Sequence, residues 1–300
     1  MGPELAITGM VVVGLVLALQ APINGALGRL TGPLWAVLIS FLVGLVVLLV
    51  ISGATGGIWR LGSLGAVSPV FLGGGLIGAI YVAVAAWSVT RIGAGAVAAA
   101  TVAGQMSSAL VVDHLEVLGV EGEAIGLVRV IGALLLVAGT VLVARRAGTR
   151  LTSGEGERVL LMTGAVFVAG LLVGVQHPVN STLAETTGGV EAALLNFAVG
   201  AAVLGLLIAI VKPPGSIRAA RSASPWLLAG GPIGVVVVLA SLGAVPVIGA
   251  AAIAAATVTG QLAGSSLLDR AGLLGLEVRP VDRTRAIGLS LLIAGTLLVL

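Results

Sequence analysis

Ten apolar runs, each bounded by glycine, proline or charge, follow one another at about residues 5–27, 33–53, 68–90, 93–112, 124–145, 159–181, 188–211, 224–245, 248–268 and 284–300. Runs of roughly 20 apolar residues match the hydrocarbon thickness that an α-helix crosses, so each predicts a transmembrane span. The one hydrophilic stretch of any length, ARRAGTRLTSGEGER (Ala144 to Arg158), lies mid-chain and has the glycine, serine and charge of a linker. Five runs fall on either side of it. The expected organisation is a first unit at 1–145, a cytoplasmic linker at 146–158 and a second unit at 159–300.

The two units repeat at a fixed offset of 156 residues, without a gap. QAPIN (Gln20 to Asn24) returns as QHPVN (Gln176 to Asn180), SFLVG from Ser40 as NFAVG from Asn196, and AATVAGQ from Ala99 as AATVTGQ from Ala255. Ser68-Pro69 falls on Ser224-Pro225, Asp113 on Asp269, and RVIGALLLVAGTVLV from Arg129 on RAIGLSLLIAGTLLV from Arg285. The period is far longer than a solenoid repeat and indicates a duplicated domain. An odd number of spans per copy makes the second copy enter the bilayer from the opposite side, an inverted-topology repeat. The loops agree: connections 1/2, 3/4, 5/6, 7/8 and 9/10 carry 13 of the 15 basic residues, leaving Arg60 and Arg129 opposite. By the positive-inside rule these 13 are cytoplasmic and both termini are extracytoplasmic.

Composition narrows the class further. A chain 58% hydrophobic and 9% charged, with mean hydropathy +1.21, is an integral membrane protein without room for a soluble domain. Cysteine is absent, which removes disulfides, thiolate metal sites and cysteine nucleophiles. The net charge of +3 comes from basic residues scattered singly between apolar runs, a topology signal rather than a nucleic-acid surface. The first run starts after Glu4 without a basic n-region, so it is expected to be a span and not a cleaved signal.

Against this background the polar residues inside the runs stand out. Gln20 and Asn24 share a helix face, as do Gln176 and Asn180, with Pro22 and Pro178 between them. A proline removes a donor and frees the carbonyl four residues earlier, which in hydrocarbon needs protein or a water-filled cavity. Paired interruptions at matching positions point to a transport site; the alternative is that the amides tie helices together. Thr101 with Gln105 and Thr257 with Gln261 repeat the i, i+4 pattern near mid-span, where polar groups cost most. Ser40 and Asn196 are expected to form helix–helix hydrogen bonds. Asp113 and Asp269, the carboxylates that recur, either bind a coupling ion or pair with a nearby arginine near the interface. His177, which replaces Ala21 of the first copy, is either a proton carrier or a neutral hydrogen-bonded group. His114 adjoins Asp113 and adds little. Trp35, Trp59, Trp87 and Trp226 lie near span ends as an interfacial belt, and Tyr81, the sole tyrosine, is mid-span and suited to face a cavity. Gly74 with Gly78, Gly230 with Gly234 and Gly260 with Gly264 are spaced for close helix approach. Metalloprotease, phosphate-loop and serine-hydrolase patterns are missing, so catalysis and ATP coupling have no positive support.

Two inverted five-span copies with QxPxN in the first helix and SF or NF opening the second resemble the drug/metabolite transporter superfamily, and within it the YdcZ-like family, over nearly the whole chain. The resemblance implies a bacterial inner-membrane carrier whose cavity lies between helices 1, 3 and 4 and helices 6, 8 and 9. Related small multidrug transporters carry a glutamate in helix 1, whereas Gln20 and Asn24 occupy that region here.

The expected protein is therefore an all-α integral membrane transporter of ten spans, exporting a small polar or zwitterionic metabolite or drug by alternating access. Its expected site is Gln20, Asn24, Gln176, Asn180, Thr101, Gln105, Thr257, Gln261 and Tyr81, with Asp113, Asp269 and His177 as candidates for coupling a proton or sodium. No cofactor, metal or nucleic acid is expected; the partners are the substrate and the lipid bilayer, and the oligomeric state is monomer or homodimer. A passive channel, a structural component and a membrane enzyme are the rival classes.

Overall fold

In hydrocarbon a backbone can satisfy its hydrogen bonds within a single segment only as an α-helix, and the apolar runs take that form. The computed structural model describes residues 2–66, 68–115, 126–144 and 153–299, and helices dominate these residues, with no strand among them. The helices are α1 (Pro3–Leu17), α2 (Gln20–Thr31), α3 (Pro33–Ala54), α4 (Gly73–Ile92), α5 (Ala94–Leu115), α6 (Leu127–Ala144), α7 (Ser153–Thr187), α8 (Gly189–Val211), α9 (Gly230–Ala271) and α10 (Arg283–Val299).

Among the described residues seven helical stretches are long and apolar enough to cross a membrane, against the ten runs of the sequence. The two expected runs at 224–245 and 248–268 fall within the one helical element α9, which doubles back along α1: Gly230 and Gly234 lie against Asn24 and Gln20, Ala240 and Ala244 pack with Met10, and Gly260 and Gly264 then follow Val11, Leu15 and Ala18 in the same direction. The last run, α10, has 17 residues. In the first run Pro22 leaves the Ala18 carbonyl without its helical donor, yet Ala18 and Leu19 keep right-handed helical dihedrals, so α1 and α2 form one stretch, Pro3–Thr31, of 29 residues. Its repeat, α7, carries Pro178 without a break. There Gly174 replaces Ala18 and lies against Ser108 and the Gln105 carbonyl, a fit that has no room for a Cβ. Residues 153–158 of the expected linker form the first turns of α7, and the remainder lies outside the described residues, as do Arg145, Arg146 and Arg150.

Equivalent helices of the two repeats pack on each other in opposite directions. Ser52, near the end of α3, donates to Glu191 Oε1 (2.7 Å), near the start of α8. Midway along this pair Phe41 and Phe197, which are repeat equivalents, meet with ring centroids 5.2 Å apart, and Gly44 and Gly200 each make room for the opposite ring. Gly132 and Gly139 of α6 face Gly295 and Gly288 of α10. The remaining seams are also reciprocal: Gly14 of α1 meets the Thr257 backbone of α9, and Gly170 of α7 meets the Thr101 backbone of α5. Lipid tails are as apolar as the helices, so such close approach holds the bundle by dispersion rather than by the hydrophobic effect. α5 runs through the centre: its most apolar 18 residues are 82% buried, against 28–39% for the other six spans.

Basic residues gather at one end of the bundle. Arg29 donates to the Leu274 carbonyl (2.6 Å), Arg279 to the Arg91 carbonyl (2.7 Å), and the turn at Ile217–Ser222, with Arg218 and Arg221, packs on α2 beside the Ser216 N–H to Thr31 carbonyl bond (2.9 Å). Arg60 stands at the other end beside Glu191 and Gly188.

Candidate substrate-binding site

The two QxPxN motifs make the same contact in exchange. Gln20 Nε2 of the first repeat donates to the Gly230 carbonyl at the start of α9 (3.0 Å), and Gln176 Nε2 of the second donates to the Gly74 carbonyl at the start of α4 (2.6 Å). Gly74 and Gly230 are themselves repeat equivalents. One tie lies toward the basic end and the other toward the opposite end, because α2, which carries Gln20, and α7, which carries Gln176, run in opposite directions. Glycine is needed at both positions, since a Cβ would collide with the Asn180 and Asn24 side chains respectively.

The asparagines next to these ties differ. Asn180 Oδ1 accepts from Asn196 Nδ2 (2.8 Å), in keeping with the helix–helix role expected of Asn196. Asn24 is 1% exposed, and neither its Nδ2 nor its Oδ1 has a partner among the described residues. Ser40, in the position of Asn196, is buried nearby against Gly230 but has a shorter side chain. Asn196 Oδ1 and Thr257 Oγ1 are likewise buried without partners. Native structures leave few such groups, and each needs a reason. Trp35 Nε1, Ser88 Oγ and Thr163 Oγ1, outside the expected site, are buried without partners among the described residues as well, so this feature alone does not mark the site.

Between the repeats a small cavity of ≈ 10 Å³, room for about one water, is lined by Gln20, Ala21, Tyr81, Ala98, Gln261 and Ser265, among others. The Tyr81 hydroxyl lies near the side chains of Thr101 and Gln261. The Thr101 hydroxyl also donates to its own helix at Val97 (2.9 Å). Gln105, equivalent to Gln261, instead meets His177, with Gln105 Nε2 and His177 Nε2 2.6 Å apart near the bundle surface, a contact that a neutral imidazole satisfies. The neighbours of the two mid-span glutamines have no chemical equivalents in the other copy: Val237 stands in the position of Tyr81, and Ala21 in that of His177.

Asp269 lies outside this cavity. It is fully buried, pairs with Arg285 (2.6 Å) and accepts from the Ala94 and Gly95 N–H groups (2.7 and 3.0 Å) at the start of α5. This is the arginine-paired, capping alternative. The side chains of Asp113 and His114 lie outside the described residues. Sequence reasoning counted Arg285 and Arg279 only as loop charges. A signal was present, since Asp269 with Arg285 and Asp113 with Arg129 recur at the same spacing.

The turn that Asp269 caps depends on Gly93, at φ +87°, ψ 162°, with Asp269 Oδ2 3.0 Å and Arg279 Cδ 3.2 Å from where a Cβ would stand. Gly93→Ala is expected to cost about 1–3 kcal/mol, read as a lower unfolding midpoint in detergent. Gly53→Ala, whose Cβ meets open space, leaves the midpoint unchanged.

A family profile described as "Putative inner membrane exporter, YdcZ" matches residues 5–142 and again residues 161–298, reproducing the 156-residue offset. A solved structure described only as "Crystal structure of protein" is similar over 97% of this chain and 96% of its own, at 19% identity and a TM-score of 0.59, and bears on the fold alone. No curated protein matches the chain. With residues 5–142 and 161–298 both matched, the chain belongs to the YdcZ family of the drug/metabolite transporter group.

Proposed function

We propose that the protein is a secondary transporter that exports a small polar or zwitterionic metabolite or drug by alternating access. In this reading each repeat supplies five crossings, α9 serving as two, the basic end faces the cytoplasm, and both termini are extracytoplasmic. The observation that carries it is the exchanged pair of ties, Gln20 to Gly230 and Gln176 to Gly74, one toward each end of the seam between inverted repeats. Breaking one tie opens the seam toward one side while its equivalent keeps the other closed. Exchanging the conformations of the two repeats then reverses access. A hydrogen bond between transmembrane helices contributes roughly 0.6 kcal/mol, little enough for ligand contacts to replace it.

The site residues are Gln20, Tyr81 and Gln261, which line the cavity, together with Asn24 and Thr101, and with Gln105, Gln176, Asn180 and Thr257 as their repeat counterparts. The described cavity lining carries no charged side chain, which favours a neutral or zwitterionic ligand over a fixed ion. Asp269, already paired, is a poor ion carrier; coupling to a proton or sodium falls to His177 or Asp113. A second reading, in which the glutamines only tie helices, draws support from the same two bonds.

Thermal unfolding of the purified protein against a metabolite and drug library separates the two. Transport predicts compounds that raise the midpoint of the wild type but not of Gln20→Leu or Gln176→Leu, with the variants' own midpoints lowered little. Stabilisation that survives both substitutions contradicts the assignment of the site.

A further inference from the structure

At the basic end, three side chains of the second repeat hold one turn of the first. Arg279 donates to the last carbonyls of α4, from Nη1 to Ile92 and from Nη2 to Arg91 (2.7 Å), while Asp269 accepts from the first amides of α5 at Ala94 and Gly95. A cation thus sits at a helix C-terminus and an anion at the next helix N-terminus, each opposing the local backbone dipole. Arg285 joins them, donating to Asp269 Oδ2 and to the Arg279 carbonyl (3.0 Å), and the Arg279 N–H closes the set on the Asp269 carbonyl (2.7 Å). The α10 helix that carries Arg285 is itself started by Asp282, whose Oδ1 accepts from the Arg285 N–H (2.8 Å).

The segment so held, Arg91 to Gly95, turns on Gly93 and joins the helix bearing Tyr81 to the helix bearing Thr101 and Gln105. We propose that Asp269, Arg279 and Arg285 form a charge clamp between the repeats that holds the seam shut at the basic end, so that its release admits solute to the cavity from that end. This inference rests on the alternating-access reading and adds a control to the same site. The three are positioning residues and do not touch the cavity. A buried pair of this kind does not necessarily add stability over an apolar replacement, whereas a clamp that must open draws on the hydration that charged groups regain when they separate.

The chain has no cysteine, so single reporters can be added directly. Ala98→Cys places a thiol in the cavity wall, Ser222→Cys marks the basic end and Thr55→Cys the opposite end. With a membrane-impermeant maleimide applied to either face of sealed vesicles, Asp269→Asn is expected to raise labelling of Ala98→Cys about tenfold from the face that labels Ser222→Cys, and to lower it from the other. Arg279→Gln, which leaves the Asp269–Arg285 pair in place, is expected to act in the same direction even if Asp269→Asn folds poorly. Equal labelling from both faces in these variants, or no change in a folded variant, overturns the clamp. Failure of alternating access reads differently: Ala98→Cys alone then labels from one face only, or from neither, whatever the clamp does.

Discussion

Gly260→Leu is expected to leave almost no monodisperse, folded protein. On α9 the missing Cβ of Gly260 points at the Val11 carbonyl and stands 2.9 Å from the Leu15 nitrogen, so the side chain would meet the backbone of α1 rather than a movable side chain. Overpacking a core usually costs about 1–3 kcal/mol because neighbours shift; here a whole helix must move, and the loss should exceed that range. Between helices in lipid, close backbone approach is itself the main source of association, and a leucine removes it along the seam. Gly104→Leu, the repeat equivalent against Phe167 and Leu171, should fail in the same way. Gly205→Leu on α8, with open space around it, should be tolerated. Size-exclusion profiles and unfolding midpoints in detergent check all three.

Arg285→Leu is expected to be the most damaging single change among the charged residues, at about 3–5 kcal/mol. The substitution leaves the Asp269 carboxylate, 0% exposed, without its counter-ion. The Ala94 and Gly95 amides offset part of that loss, which places the effect toward the lower end of the range. Adding Asp269→Leu removes the stranded charge, so the double variant should be more stable than the sum of the two single losses requires, while still lacking the cap on α5. A double-mutant cycle on unfolding in detergent measures this coupling. Additive losses would mean that the two side chains act independently.

The duplication and its offset were legible because polar and glycine markers are rare in apolar runs, so QxPxN, Ser40 with Asn196, and Asp113 with Asp269 align without ambiguity. An odd span count per copy predicts opposite directions for the two copies; α3 and α8, which are equivalents, pack antiparallel, with Ser52 on Glu191. Which face of each helix is buried was not legible. In lipid the outer face is as apolar as the core, so Leu134 of α6 and Leu136 two residues on look alike in sequence, although one is exposed and the other fully buried. The mid-span position of Tyr81 suits it to face a cavity, but the other residues of that cavity's lining, Gln20 and Gln261, come from distant parts of the chain. Asp269 has two readings in the sequence, ion coupling or arginine pairing, and its pair with Arg285, 16 residues on, depends on tertiary packing.

Counterflow most directly tests the central claim that inverted repeats exchange conformations around the paired glutamines. Proteoliposomes preloaded with an unlabelled compound that stabilises the protein are diluted into a trace of the same compound carrying a label. An alternating-access carrier takes up the label above its equilibrium level, with saturable initial rates, and loses this uptake in Gln20→Leu and Gln176→Leu. Flux that never saturates and shows no overshoot, or an overshoot unchanged in both variants, would contradict the account.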